Sequence, residues 1–214
     1  MSASDIAAIL QGAVMTAALS GVAILLGLPL GLLLALTRWS NVPILAPIVG
    51  IYVSILRATP LVTLLLLLFF ALPNIGVPIG AISAAIIALT MNTSAFNCEV
   101  WRAGLISFPK DQYEAAQSLG MRAGQRLRQI VLPQVMQVCL PGLVNEMSLL
   151  IKVTPVLAVV GVVDITRAAV RIGAESYEPL PPFLVALAIY LPIVYAIVCL
   201  QRLSERRLAR AGAQ

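Results

Sequence analysis

Histidine is missing altogether from this 214-residue sequence, charged residues make up only 11% of it, and cysteine occurs three times. Each shortage excludes something. A soluble globular domain carries roughly 25% charged residues, so with 60% hydrophobic residues here the solvent to reason in is lipid. Cys98, Cys139 and Cys199 lie inside apolar segments without paired spacing, which supports neither a disulfide framework nor a metal site and leaves helix packing as their role. There is no GxxxxGK[ST] phosphate loop, so any nucleotide energy must come from another polypeptide. The expectation is therefore no catalytic residue, no metal and no cofactor on this chain, which is not an enzyme. Lys and Arg are also lacking ahead of the first apolar run, and no small-residue cleavage site precedes the end of the first helix. A retained helix, not a secretory signal, is expected.

What is present is length without charge. No charged residue occurs from Ile6 to Thr37, nor over the 41 residues from Ala58 to Cys98. As helix the second run would be about 60 Å long, twice the hydrocarbon thickness, and must cross twice. The hydropathy predicts an all-α membrane protein with about five crossings: Ala8–Thr37, Thr59–Leu72, Gly80–Cys98, Val135–Val163 and Phe183–Leu200. Trp39–Leu56, broken by Pro43 and Pro47, is expected as a cytoplasmic-side connection, and Leu72–Pro78 as a turn. Gly27 and Gly31 around Pro29 form a small-xxx-small pair, giving either a close helix contact or a kink. The whole chain, 1–214, is read as a single membrane domain, with a polar loop at about 102–133 inside it.

The formal charge of +5 points to topology, not to nucleic acid. Eleven of the fourteen basic residues fall on one side of a five-span arrangement: Arg38 and Arg57, five in the central loop, and Arg202, Arg206, Arg207 and Arg210 in the tail. Positive charge collects in cytoplasmic loops. The chain is expected in the bacterial inner membrane with the N-terminus outside and the C-terminus in the cytoplasm.

The central loop is longer than a connection requires and has helical grammar of its own. Pro109 suits a first turn, Glu114-Ala-Ala-Gln-Ser-Leu119 is helix-forming, and Gly120 suits a left-handed stop. A second short helix is expected over Arg122–Leu132, ended by Pro133. Two short helices on a glycine hinge make a rigid protrusion fitted to receive force from a soluble partner.

Glu114-Ala115-Ala116, Gly120 and Leu132-Pro133 resemble the EAA motif of permease subunits in binding-protein-dependent ABC importers. The likeness extends along essentially the whole chain and is closest to the polar amino-acid (histidine/glutamate/glutamine/arginine/opine) type. It includes Tyr52 with Arg57-Ala-Thr-Pro-Leu61, Asn92-Thr-Ser-Ala-Phe96 with Glu99 and Arg102-Ala-Gly104, and Pro141-Gly-Leu-Val-Asn-Glu146 with Lys152. Two departures stand out. Ala58 replaces the usual Gly, and Lys152-Val-Thr-Pro155 replaces a Lys-Asp-Thr-Ser run. The resemblance implies the ABC importer permease fold. It also implies ATP held by two copies of a separate ATPase subunit, a second permease subunit, and a periplasmic or lipid-anchored substrate-binding protein. Glu114, Ala115, Ala116 and Gly120 would couple this chain to the ATPase.

Within the bilayer, polar side chains are costly and usually face a bundle interior or a wet path. Asn92 and Glu99 share a helical face, with Arg102 three beyond Glu99, and Asn145, Ser148 and Lys152 share another, with Glu146 beside it. Asn92, Glu99, Asn145, Glu146 and Lys152 are candidates for the substrate path. The alternative is that Glu99 pairs with Arg102, and Glu146 with a neighbouring base, to hold helices together. Arg57, Thr59 and Pro60 open the second crossing as gate or, preferably, anchor. Trp39, Tyr52 and Trp101 read as headgroup-level belt residues. A permease for methionine or another small solute, and an ion-coupled secondary transporter, are the rival readings; the latter usually carries internal repeats, and none is evident.

Overall fold

The computed structural model describes residues 1–211, with side chains described through Cys199 and again at Arg202 and Leu203. Its elements are α1 Ala3–Trp39, α2 Leu45–Ala58, α3 Leu61–Asn74, α4 Ala81–Ser107, α5 Lys110–Ser118, α6 Ala123–Arg126, α7 Leu132–Val153, α8 Ile165–Ser176 and α9 Leu180–Ala211. A π-helical turn over Leu127–Val131 joins α6 to α7, and a 3₁₀ segment over Thr154–Val160 extends α7.

Helix α1 begins before the apolar run because Ser2 caps it. The Ser2 hydroxyl accepts the Asp5 N–H at 3.3 Å, and the Asp5 carboxylate accepts the Ser2 N–H at 2.7 Å, a reciprocal capping box. At 37 residues α1 exceeds what a bilayer needs. Its closest neighbour is α4, and Gly27 and Gly31 set the spacing. A Cβ at Gly27 would come within 2.7 Å of the Thr93 side chain, and one at Gly31 within 2.9 Å of the Asn97 Cβ. The glycine pair is thus a close contact, as small residues provide between helices in lipid. Helices α4 and α7 meet in the same manner, with Gly104 under the Cys139 sulfur and Gly142 against Val100.

Among the described residues, four helical segments are long and apolar enough to span: α1, α4, α6 through the 3₁₀ segment, and α9 up to Cys199. The fifth candidate is the pair α2 and α3, bent by 107°. Two expectations change here. Within Trp39–Leu56, read as a connection, helix α2 starts at Leu45 and runs on to Ala58, and α3 alone has 14 residues, about 21 Å, too short to cross. Pro60 produces the bend: it supplies no N–H to continue the α2 ladder and pushes Thr59 to extended backbone, φ −90° and ψ 126°. Arg57 therefore closes α2; it does not open the next helix.

Pro133 likewise does not end its helix, because the π-helical turn just before it lets the backbone ladder step past the missing N–H. The polar stretch after Val163 holds α8, whose Ile165, Ala168, Ala169 and Ile172 are buried in a second small core with Ile9, Ala13 and Ala186. Asp164 caps α8, accepting the Arg167 N–H at 2.9 Å and the Thr166 N–H at 3.2 Å while fully buried. The Tyr190 hydroxyl lies 3.4 Å from the same carboxylate. Asp followed by apolar residues at helical spacing was the signal for this cap.

Candidate functional site

Two constellations matter, and both lie toward the end of the bundle that carries the α5 hairpin. The hairpin itself is stopped and braced. Gly120 at φ +76° gives α5 a Schellman ending, with Gly120 N–H bonded to Gln117 O at 2.9 Å and Met121 N–H to Ala116 O at 3.2 Å. Just before the stop, Leu119 is 83% exposed. Glu114 and Ala115 are exposed, whereas Ala116 is buried against its own chain. Of the two alanines only Ala115 is free to meet a partner.

Side chains hold the hairpin to the bundle. The Tyr113 ring stands edge-on to Trp39 at 6.2 Å, and the Arg126 guanidinium lies 4.5 Å from the Tyr113 ring centre and donates to its hydroxyl at 3.1 Å. Gln134 donates to the Gln112 side chain at 2.9 Å. Trp39 therefore braces the hairpin. The other two aromatic expectations change: Trp101 is buried in the core, and Tyr52 reaches inward to the Ser94 hydroxyl at 3.2 Å.

The second constellation surrounds Glu99. Arg102 lies 2.7 Å from its carboxylate, Arg38 pairs with the other carboxylate oxygen, and Arg57 approaches to 4.0 Å while its guanidinium sits 5.5 Å from the Phe96 ring centre. Three arginines from three helices thus converge on one acid. Arg102 was expected there; Arg38 and Arg57, 61 and 42 residues away in sequence, were not. Thr59 bonds back to the Ile55 carbonyl at 2.8 Å and, with Pro60, makes the bend beside this cluster.

On α7 the expected face divides. Asn145 and Lys152 are exposed together with Leu149, but Ser148 is buried with Val144 and Ile151, and its hydroxyl has no hydrogen-bond partner among the described residues. The offset is one residue: 145, 149 and 152 form one stripe at i, i+4, i+7, and 144, 148 and 151 form its inward neighbour. Glu146 and Asn92 are half-buried. Glu146 makes no ion pair among the described residues, so the bracing role suggested for it finds no partner there. Lys152 opens onto a cavity of about 330 Å³ shared with Pro155, Tyr190 and Leu191. The basic tail at Arg206, Arg207 and Arg210 has its side chains outside the described residues.

Apolar helices long enough to cross a bilayer, with a cross-braced helix pair projecting from one end, are the build of a multi-pass transport permease subunit. Residues 27–210 match the family described as binding-protein-dependent transport system inner membrane component, and the chain belongs to that family. It is similar to the arginine transport system permease protein ArtQ of Bacillus subtilis (strain 168), 35% identical over 201 residues that cover 94% of this chain and 92% of the relative. A putative glutamine transport system permease protein GlnP of Rickettsia typhi (strain ATCC VR-144 / Wilmington) is 32% identical with the same coverage. The L-cystine transport system permease protein TcyB of Bacillus subtilis (strain 168) is 35% identical, covering 88% of this chain and 81% of its own. The crystal structure of an amino acid ABC transporter with histidines superposes with a TM-score of 0.85 at 34% identity, covering 94% of each chain. An inward-facing methionine ABC transporter, MetNI, shares the fold with a TM-score of 0.81 at 22% identity over 96% of this chain and 99% of that one.

Proposed function

We propose that this permease carries a polar amino acid or a derivative of one inward across the cytoplasmic membrane, and that the α5 hairpin takes up the stroke of a separate ATPase subunit. The observation that carries the reading is the braced hairpin: a short helix with a left-handed glycine stop, an exposed Leu119 beside it, and three side-chain ties to the bundle. A projection held in this manner transmits displacement, whereas a loose one would absorb it. The substrate class follows from the arginine, glutamine and cystine relatives. The methionine transporter, at 22% identity, speaks for the fold and not for the solute.

In this reading two ATPase copies and a second permease subunit complete the machine, and a periplasmic or lipid-anchored binding protein delivers the solute. ATP stays on the partner; this chain does no chemistry of its own and holds no metal or cofactor. The N-terminus lies outside and the C-terminus inside, by the distribution of the basic residues. The exposed stripe of Asn145, Leu149 and Lys152, with Glu146 and Asn92 beside it, lines the path against the second permease. An ammonium and an amide there suit the carboxylate and polar side chain of an amino acid. Glu99 belongs instead to the arginine cluster. Val153 and Pro155 stand where the family pattern has Asp and Ser, so the acidic group that pattern places beside the lysine is absent from this path.

The test is ATP-dependent uptake by the purified complex in proteoliposomes, with arginine, glutamine, cystine and methionine offered on the cognate binding protein. Uptake of one of the first three is expected. Uptake of methionine alone, or solute flux in the absence of the ATPase, would overturn the proposal.

A further inference from the structure

Lys152 stands on α7 without an acidic partner. It takes part in no ion pair among the described residues, and Val153 and Pro155 occupy the positions where the family pattern supplies Asp and Ser. An ammonium inside a membrane segment is costly against lipid and calls for an anion or water. The cavity of about 330 Å³ that it lines is walled otherwise by Pro155, Leu187, Leu191 and Val194, and its other polar side chain is that of Tyr190.

Behind Tyr190 is a second charge without an ionic partner. Asp164 is fully buried and makes no ion pair among the described residues. Its carboxylate accepts the Thr166 N–H at 3.2 Å, the Arg167 N–H at 2.9 Å and the Tyr190 hydroxyl at 3.4 Å. A carboxylate only accepts, so the single proton of the phenol is committed to Asp164 and the Tyr190 oxygen is left as an acceptor. The Thr166 hydroxyl, 3.4 Å from it, takes at most one of its two lone pairs. A donor that carries positive charge suits the other, because the negative charge of Asp164 lies just behind. The cavity therefore offers an ammonium on one wall, an acceptor backed by a buried acid on another, and apolar surface between them.

We propose that this cavity holds the zwitterionic end of an amino acid, with the carboxylate on Lys152, the ammonium on the Tyr190 oxygen, and Asp164 as the positioning residue that fixes the proton of the phenol. The side-chain stem of the solute then rests on Leu187, Leu191 and Val194. The proposal rests on the transport reading above and adds the groups that tell an amino acid from any other small carboxylate. A solute without a free ammonium leaves the Tyr190 acceptor unpaired, and a site built for a donor rejects the analogue that lacks it.

The experiment measures equilibrium binding of radiolabelled L-arginine, L-glutamine and L-cystine to the assembled permease–ATPase complex in nanodiscs, without the binding protein. Unlabelled parent and Nα-acetyl forms serve as competitors. Binding of at least one of the three is expected, with its acetyl form competing about tenfold more weakly. Tyr190→Phe should weaken the parent about tenfold and leave the acetyl form unchanged, so that the discrimination disappears; a merely structural role would weaken both. Asp164→Asn still caps α8 but lets an amide donate to the Tyr190 oxygen, and should lower the same ratio. Lys152→Met should weaken parent and acetyl forms together, since both carry the carboxylate, and Leu191→Trp should exclude both by filling the cavity. The comparison of parent with acetyl form in the wild type needs no variant, so the proposal is tested even if the substituted chains do not fold. Equal competition by the two forms, or affinities that Tyr190→Phe and Lys152→Met leave unchanged, would overturn it. Absence of binding by all three would overturn it too, and if ATP-dependent uptake of one of them proceeds, the transport reading stands without this site. Binding with the expected discrimination but no ATP-dependent uptake would keep the site and overturn the transport reading.

Discussion

Arg126 lies over the ring of Tyr113 at 4.5 Å and donates to its hydroxyl at 3.1 Å, tying the base of the long helix that becomes α7 to the middle of α5. A hydrogen bond from a charged donor contributes about 1.5 to 3 kcal/mol, and a partly exposed cation–π contact about 0.5 to 1 kcal/mol. Tyr113→Phe removes only the first and Arg126→Ala removes both. The expected result is graded loosening of residues 110–121, seen as faster amide hydrogen exchange, with Arg126→Ala the larger effect. Equal exchange in wild type and Arg126→Ala would show that the hairpin is held by something else.

At Gly120 the backbone conformation is the issue and not space, because φ is +76° and a Cβ would meet nothing within 4 Å. Gly120→Val should therefore cost about 1 to 3 kcal/mol through strain, leave the bundle in the membrane, and uncouple ATP hydrolysis from uptake. Gly120→Asn, which tolerates the left-handed region better, should lie between the two. Normal uptake per ATP by the valine variant would remove the coupling role.

Gly31 poses the opposite problem, since its neighbours leave no room: a Cβ meets Asn97 at 2.9 Å and the Ser94 carbonyl at 3.0 Å. Gly31→Leu should separate α1 from α4 at a cost of about 1 to 3 kcal/mol or more. Thermal unfolding of the purified complex measures it, and an unchanged midpoint would contradict the contact.

Along α7, adjacent residues should behave differently. Asn145→Ala and Lys152→Met alter the exposed stripe, so stability should change by no more than about 0.5 kcal/mol while the KM for uptake rises. Ser148→Ala removes a buried hydroxyl with no partner among the described residues, which should be neutral or stabilising and leave KM unchanged. If Ser148→Ala changed KM and Asn145→Ala did not, the path would lie on the other face of the helix.

Glu99→Gln takes the shared acid from its arginines. Breaking a fully buried pair costs about 3 to 5 kcal/mol; with the Glu99 side chain 19% exposed and those of its partners 23% to 45% exposed, about 2 kcal/mol is expected. A fall in the unfolding midpoint, with hairpin exchange rates little changed, would assign Glu99 to holding the helices together and not to the solute path.

The sequence by itself determined what depends on runs along the chain. The uncharged lengths marked the chain as a multi-span helical membrane protein, and Glu114-Ala115-Ala116 with Gly120 marked the hairpin and its left-handed stop. Tertiary structure alone decided which face of each segment looks inward. It separated Ser148 from Asn145, buried Trp101, turned Tyr52 toward Ser94, and carried Pro133 through a helix it was expected to end. It also brought Arg38 and Arg57 to Glu99 from distant parts of the chain. The physical reason is that lipid is as apolar as a protein core, so hydropathy marks where a helix crosses but hardly marks the side it packs on. That choice is made by close contacts such as Gly31 against Asn97 and by converging charges, and both exist only once the helices are assembled.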